Sequence, residues 1–447
     1  MHKTTRHHRF AALGAVIAAA LALSSCSSSG GGGGSSSPTG SISGQTITYW
    51  ASDQGSSIAD DVQVLTPELN AFTQATGVKV DLQVIGWNDL LNRILAATAS
   101  GQGPDVVNIG NTWSASLQAT GAFLPITPQI MTQLGDTGRF LPGALAATGA
   151  SGKPPVGVPI YSTAYGLYYN KAEFAAAGIT SAPTTWEQLI ADGQKLTHGS
   201  QWGLTLEAAQ TPENAHAAFV FSEQQGGSWF DSSGNPTFTT SANVAAIKEL
   251  VGFMGTDKIT NPSDAENSNG TEALQEFASG KAAMLMWQPA GANLAKYGMQ
   301  SSAYGVAPLP FPATPPAGAQ HIDSMVGGIN LSVFGNTKHE AAALAFVKFM
   351  TSKATEISLN KTYGSLPSVT DAYTDPAFQT ADDKVFQNVL ASSATAMPEI
   401  AQESQFETVI GAALKTLYAD AASGTAITDS LIQSTLNSAQ QQMQAGG

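Results

Sequence analysis

The chain has 447 residues, 43% of them hydrophobic and only 12% charged, with a formal net charge of −14 and a single cysteine. One cysteine excludes a disulfide framework and a cysteine-built metal site. An acidic chain without a basic run does not suit nucleic acid or direct contact with anionic lipid.

The first 25 residues have the layout of a secretory signal, with basic Lys3, Arg6 and Arg9, the apolar run Ala11 to Leu23, then Ser24 and Ser25. That run is shorter than the roughly 20 apolar residues that span a bilayer core. Cys26 follows directly and resembles the lipidated cysteine of a bacterial lipobox. Residues 26–44 read as a Gly/Ser-rich flexible tether, which makes sense after an anchor. Two acyl chains, at about 0.8 kcal/mol per buried methylene, hold stably where one is marginal. The expectation is a body held on the extracytoplasmic face of a bacterial cell membrane through Cys26. About 400 residues lie beyond the tether, more than one core usually serves, so two domains are expected.

Gln45 to Trp50 alternates as a strand, and a helix with the stripe Leu65, Leu69 and Phe72 follows, with Thr66 and Pro67 as its cap and first residue. Gly77 stops it, and Val78 to Ile85 alternates as a second strand. Asn88 caps a helix running to about Ser100; Gly103 and Pro104 break it before a third strand, Asp105 to Ile109. Strands and helices in this rhythm predict a parallel α/β sheet. Further strands are predicted at Tyr165–Tyr169, Trp202–Leu206, Ala282–Trp287 and Tyr304–Leu309. Thr184 and Glu187 form a capping box for a helix through Leu196, and further helices fall near 212–225, 241–254, 271–279 and 338–350. The last segment, about 383–443, reads as helical throughout.

In open α/β sheets, ligands bind outside the carboxyl ends of the strands. Trp50, Trp113 and Trp287 sit at or just past such ends, accompanied by Asp53, Gln54, Asn111, Thr112 and Gln288. Aromatic faces beside carboxylates and amides suit a sugar ring. Burying one sugar face of about 50–80 Å² would gain roughly 1–2 kcal/mol, and the polar neighbours would fix its orientation. Trp87 and Trp202 could belong either to such a site or to packing. Catalytic patterns are sparse. His339 and Glu340 begin like a zinc-protease helix, but Ala343 stands where the second histidine belongs. No nucleophile elbow, P-loop or dinucleotide fingerprint is present, and no cofactor is expected. A pair of glycosidase carboxylates remains open at this point.

The segments Ile47–Trp50, Gly101–Val106, Gly121–Pro125, Gly157–Ile160 leading into Tyr169–Lys171, Pro183–Glu187, Phe277–Met284 and Val326–Ile329 carry a resemblance. In this order the chain resembles the extracellular solute-binding proteins of the carbohydrate-transport type, the group that includes the maltodextrin-binding proteins. The resemblance implies an α/β, two-lobed periplasmic-binding-protein (Venus flytrap) fold with crossover hinge strands near Tyr161–Thr163, Ser324–Gly327 and Gly364–Pro367. One lobe would comprise residues 45–161 and 325–362, the other residues 162–324 and 363–447. It implies a monomer that binds a small carbohydrate in the cleft, closes by a hinge motion and delivers it to the transmembrane subunits of an ABC permease, with no catalysis of its own. Carried over residue by residue, the sugar contacts would be Asp53, Gln54, Asn111, Trp113, Tyr161, Thr163, Glu213, His216 and Trp287, with Phe406 and Glu407 near the rim. Glu407 stands where maltodextrin binders carry an aromatic, which argues against a long stacked maltodextrin. Trp50 and Gln288 join this set from the strand-end argument. The alternatives are an anchored glycoside-processing enzyme, or the same fold binding a polyol, a glycerophosphodiester or a small peptide.

Overall fold

The structure is a computed structural model that describes residues 41–445. The signal-like segment, Cys26 and the tether as far as residue 40 lie outside the described residues. The strands are β1 (Thr46–Ser52), β2 (Lys79–Ile85), β3 (Val106–Gly110), β4 (Val158–Thr163), β5 (Gly166–Asn170), β6 (Trp202–Thr205), β7 (Ala282–Trp287), β8 (Tyr304–Ala307), β9 (Ser324–Met325), β10 (Gly327–Val333), β11 (Leu366–Pro367) and β12 (Ala394–Thr395). They form a six-stranded sheet of order β11-β4-β10-β3-β1-β2, a four-stranded sheet of order β6-β7-β5-β8, and the pair β12-β9.

Each large sheet is covered on both faces. On the first, the period-2 alternation of β1 sends Ile47, Tyr49 and Ala51 toward Leu65, Phe72 and Phe346, while Trp50 packs on the opposite side with Leu90, Ile94 and Val107. The rings of Tyr49 and Phe72 meet Phe346 edge-on at 5.0 and 5.2 Å. Such pairs add about 0.5–1.5 kcal/mol beyond their buried area. On the second sheet, Leu167, Leu204 and Met284 pack with Trp186, Phe221 and Phe253, and Tyr168 and Leu285 pack on the other face with Phe277 and Phe386.

Five local expectations are corrected. The sheets are mixed: β1 runs parallel to β2 and β3, but β10 is antiparallel to both β3 and β4, because β10 arrives from the other sheet. The first helix begins at Ile58, where the Ser57 side chain accepts from the Asp60 N–H, so Pro67 lies inside a helix running to Thr76. The next helix, Trp87–Ser100, starts after Gly86 without a side-chain cap, so Asn88 lies inside it. The cap of the helix Trp186–Leu196 is Thr185, not Thr184, with Gln188 accepting from the Thr184 N–H. The C-terminal region is not continuous helix. It breaks after Ser392 into β12 and a loop containing Pro398, then resumes as the helices Glu403–Ala422 and Asp429–Ala445.

The helix Glu403–Ala422 lies directly on the helix Thr211–Gln224, and Gly411 permits the approach. A Cβ there would sit 2.2 Å from the Thr211 carbonyl oxygen. Gly411→Ala is expected to force the two helices apart and to cost about 1–3 kcal/mol, the usual penalty of overpacking. Urea unfolding would check it; an unchanged midpoint would contradict the packing described.

Candidate functional site

A cavity of about 300 Å³ lies where the loops of the two sheets face each other. From the six-stranded sheet, the ends of β1, β2 and β3 supply Asp53 and Gln54, Trp87, and Asn111 and Trp113; β4 supplies Tyr161 and Thr163. From the four-stranded sheet, the end of β7 supplies Trp287 and Gln288, and the helix Thr211–Gln224 supplies Glu213 and His216. Polar contacts cross between the two sides. Asn88 donates to the Ser268 carbonyl at 2.9 Å, and Lys296 pairs with Asp60 at 2.5 Å.

Ten of the twelve expected contacts are therefore brought to one place. The other two are not. Trp50 lies inside β1, which continues to Ser52, so it does not mark a strand end; its indole is buried against Leu90 and Ile94, with the Arg93 guanidinium 4.3 Å over the ring. Phe406 is fully buried among Trp229, Phe230 and Phe238, because it faces about 100° around the helix from Glu407. Trp87, left open by the sequence, is half-buried at the cavity, its indole N–H donating to the Asp53 carbonyl at 2.6 Å and its ring edge-on to Trp113. The strand-end rule that selected Trp113 would have selected Trp87 too, since β2 ends two residues earlier. Gln210, Asn269 and Asn293 also line the cavity and had no sequence signal beyond being polar loop and helix-start residues.

One wall of the cavity is a buried chain of hydrogen bonds. The Trp113 indole N–H donates to Glu407 Oε2 at 2.6 Å, and Glu407 Oε1 lies 3.3 Å from His216 Nε2. On its other side His216 Nδ1 lies 2.8 Å from the Tyr165 oxygen. The Tyr165 hydroxyl donates to Glu213 Oε2 at 2.5 Å, and Gln288 donates to the Tyr165 oxygen at 3.0 Å. With its own proton committed to Glu213, the Tyr165 oxygen can only accept from His216. The arrangement favours the imidazolium form of His216, held directly by Glu407 and through Tyr165 by Glu213. The electrostatics agree. Burial opposes the charge on His216, but the hydrogen bond and charge of Glu407, with Glu213, raise its pKa above the ordinary imidazole value. Burial likewise opposes ionisation of Glu407, yet His216, Thr112 and Trp113 hold its carboxyl below the usual glutamate value. Glu213 is raised, chiefly by burial. One turn before Glu407, Glu403 is completely buried, and burial plus the neighbouring Glu407 push its carboxyl well above the usual glutamate value.

Four further oxygens on lining residues, Asp53 Oδ1, Thr163 Oγ1, Gln210 Oε1 and Asn293 Oδ1, are buried without a hydrogen-bond partner among the described residues. No lysine or arginine lines the cavity among the described residues. The site offers acceptors, indole faces and no fixed cation near the ligand volume except the imidazolium already held by Glu407 and Glu213.

Two α/β halves enclosing a polar, aromatic-walled cavity define a binding protein of the periplasmic type. A model of the bacterial extracellular solute-binding proteins matches residues 55–357, and the chain belongs to that family. The diacetylchitobiose binding protein of Streptomyces coelicolor is 24% identical over 331 residues, 73% of this chain and 74% of that protein. The GacH receptor of Streptomyces glaucescens, solved unliganded and in complex with acarbose and an acarbose homolog, is 24% identical with a TM-score of 0.74, over 90% of this chain and 98% of that one. A solute-binding protein of an ABC transporter from Agrobacterium radiobacter, solved in complex with ribitol, is 22% identical with a TM-score of 0.78, over 91% and 100%. The protein is thus an extracellular solute-binding protein.

Glu407→Gln removes the charge that holds the His216 proton, so burial should then dominate. Long-range ¹H–¹⁵N NMR is expected to show His216 titrating above about 6.5, the free imidazole value, in the wild-type protein and below it in the variant. A wild-type His216 titrating at or below that value would contradict the imidazolium.

Proposed function

We propose that the protein is a lipid-anchored receptor that captures a neutral mono- or oligosaccharide and passes it, chemically intact, to an ABC permease. In this reading residues 45–161 with 325–362 form one lobe and residues 162–324 with 363–447 the other. The two close by bending at Tyr161–Thr163, Ser324–Gly327 and Gly364–Pro367. Cys26 carries the acyl chains, and residues 27–44 give the body its reach. The receptor acts as a monomer.

The observation that carries this reading is the set of unpartnered buried acceptors, Thr163 Oγ1, Gln210 Oε1 and Asn293 Oδ1, beside the half-buried indoles of Trp87 and Trp287. Each buried polar group without a partner costs about 1–3 kcal/mol, and ligand hydroxyls would satisfy them while a sugar face covers an indole. Asp53, Gln54, Asn111, Tyr161 and Gln288 complete the polar ring around the ligand. A cavity of about 300 Å³ is at the small end of ligand pockets, which favours a mono- or disaccharide. A polyol such as the ribitol of the Agrobacterium relative satisfies the same acceptors. A glycerophosphodiester does not, because no guanidinium or ammonium lines the cavity, and a peptide carboxylate lacks a partner for the same reason. The enzyme reading finds little support, since Glu213 and Glu407 are already occupied by Tyr165, His216 and Trp113.

Isothermal titration against glucose, maltose, ribitol and glucose 6-phosphate tests the reading. At least one uncharged ligand is expected to bind and to be recovered unchanged, and the phosphate ester is not. Trp287→Ala is expected to weaken that binding at least about tenfold, as for the loss of one stacked face, with little change in melting temperature. Recovery of hydrolysed product alone, or preference for the phosphate ester, would overturn it.

A further inference from the structure

The contacts Asn88–Ser268 and Lys296–Asp60 join the two halves at exposed positions, while two further contacts join them inside. Trp113 follows the end of β3, and its ring packs with Trp50, Ile85 and Leu90 on the six-stranded sheet. Glu407 stands on the helix Glu403–Ala422, whose Phe406, Ile410 and Leu414 pack in the core of the four-stranded sheet. The Trp113 indole N–H donates to Glu407 Oε2 at 2.6 Å across this divide, and both residues are almost completely buried. Three residues away on each segment, the hydroxyls of Ser116 and Ser404 meet, and the Ser404 N–H donates to Ser116 Oγ at 3.3 Å. Ser404 lies in the first turn of its helix, where backbone N–H groups lack an intrahelical partner. One half therefore caps a helix of the other.

We propose that Trp113, Ser116, Ser404 and Glu407 form a clasp that holds the two halves together before a ligand arrives, with Glu407 as its positioning residue. The inference rests on the reading of two lobes that bend at the three crossings. Glu407 is presented for the contact from its own side. Its other oxygen lies 3.3 Å from Nε2 of His216, on the helix Thr211–Gln224, whose Phe219 and Phe221 pack in the same core. A hydrogen bond to a carboxylate kept from water is worth more than an exposed ion pair, which water and salt weaken. The clasp therefore outweighs the exposed contacts in setting how much of the ligand-free receptor is closed. Apparent Kd equals the intrinsic Kd divided by that closed fraction. Affinity then depends on Ser116 and Ser404, neither of which lines the cavity.

Small-angle X-ray scattering of the ligand-free full chain reads the clasp directly. The wild type should have the radius of gyration of the compact form, and Glu407→Ala a larger one. Ser116→Ala should expand the chain in the same direction, and it carries the test should Glu407→Ala fail to fold. Glu407→Gln keeps an oxygen for the indole N–H and should stay compact, a rescue that a role for the charge alone would not give. With maltose and ribitol as probes, Kd should rise at least about fivefold in Glu407→Ala and in Ser116→Ala, and saturating probe should restore the wild-type radius. Ligand-free variants that scatter like the wild type overturn the clasp. So does a wild type that stays expanded until a probe binds, although compaction by the probe would leave the two-lobe reading standing. A radius that neither substitution nor probe changes defeats both. If neither probe binds the wild type, the sugar reading fails, and scattering from the ligand-free chains still decides the clasp.

Discussion

Three crossings of the chain between the two sheets are tied together side by side, and the binding site exists only because of that. Strand β4 leaves the six-stranded sheet, β10 enters it and β11 leaves again, with Thr163 opposite Gly327 and Ser162 opposite Leu366. The ladder hydrogen bonds make this one seam. Tyr161, Thr163, Gly327, Gly328, Tyr363 and Ser365 all lie on it and all line the cavity. The floor of the site is therefore backbone-anchored, while its side walls ride on separate cores that share little but this seam and a few polar contacts.

The walls are held by buried charge whose cost is offset locally. Removing one partner from a buried ion pair costs about 3–5 kcal/mol, since the other is left uncompensated. His216 touches Glu407 directly and Glu213 through the Tyr165 hydroxyl, so each group constrains the others as well as the helices that carry them. The pH linkage of this arrangement has a definite sign. His216, raised in the folded state, contributes stability that is present below about 6.5 and lost as pH rises through its folded value. Asp61, Glu207, Asp264 and Glu356, pushed up to about 8 mainly by burial, hold protons in the folded chain that the unfolded chain has released, so stability declines from about pH 4 to about pH 8. Glu407, lowered, acts in the opposite direction and is lost only in acid. Together these groups favour a mildly acidic medium.

Much of this was legible in the residues. Strands β1, β2, β3 and β7 and most long helices follow from periodicity 2 or 3.6, and the strand-end rule located Asp53, Asn111, Trp113 and Trp287 because backbone direction alone determines where those side chains emerge. Trp50 misled because a strand's end cannot be read to within two residues when Ala51 and Ser52 suit either a strand or a loop. Phe406 and Glu407 are neighbours in sequence and face different surroundings, a distinction that depends on which helix face meets the Thr211–Gln224 helix. The hydrogen-bond chain from Trp113 to Glu213 was beyond reach for a stronger reason. Trp113 and Glu407 are separated by 294 positions, and nothing local in either segment encodes the partner. The antiparallel entry of β10 was hidden likewise, since its apolar, glycine-punctuated sequence suits either direction.

The lid of one core arrives very late in the chain. Ile410, Leu414 and Leu417 of the helix Glu403–Ala422 close over Ala218, Phe221 and Leu250, residues that precede them by some 160 to 200 positions. A ribosome releasing the chain from its N-terminus exposes the four-stranded half long before it can be sealed, and contacts of such separation form slowly. The four-stranded half therefore completes its core only once this late helix has joined it.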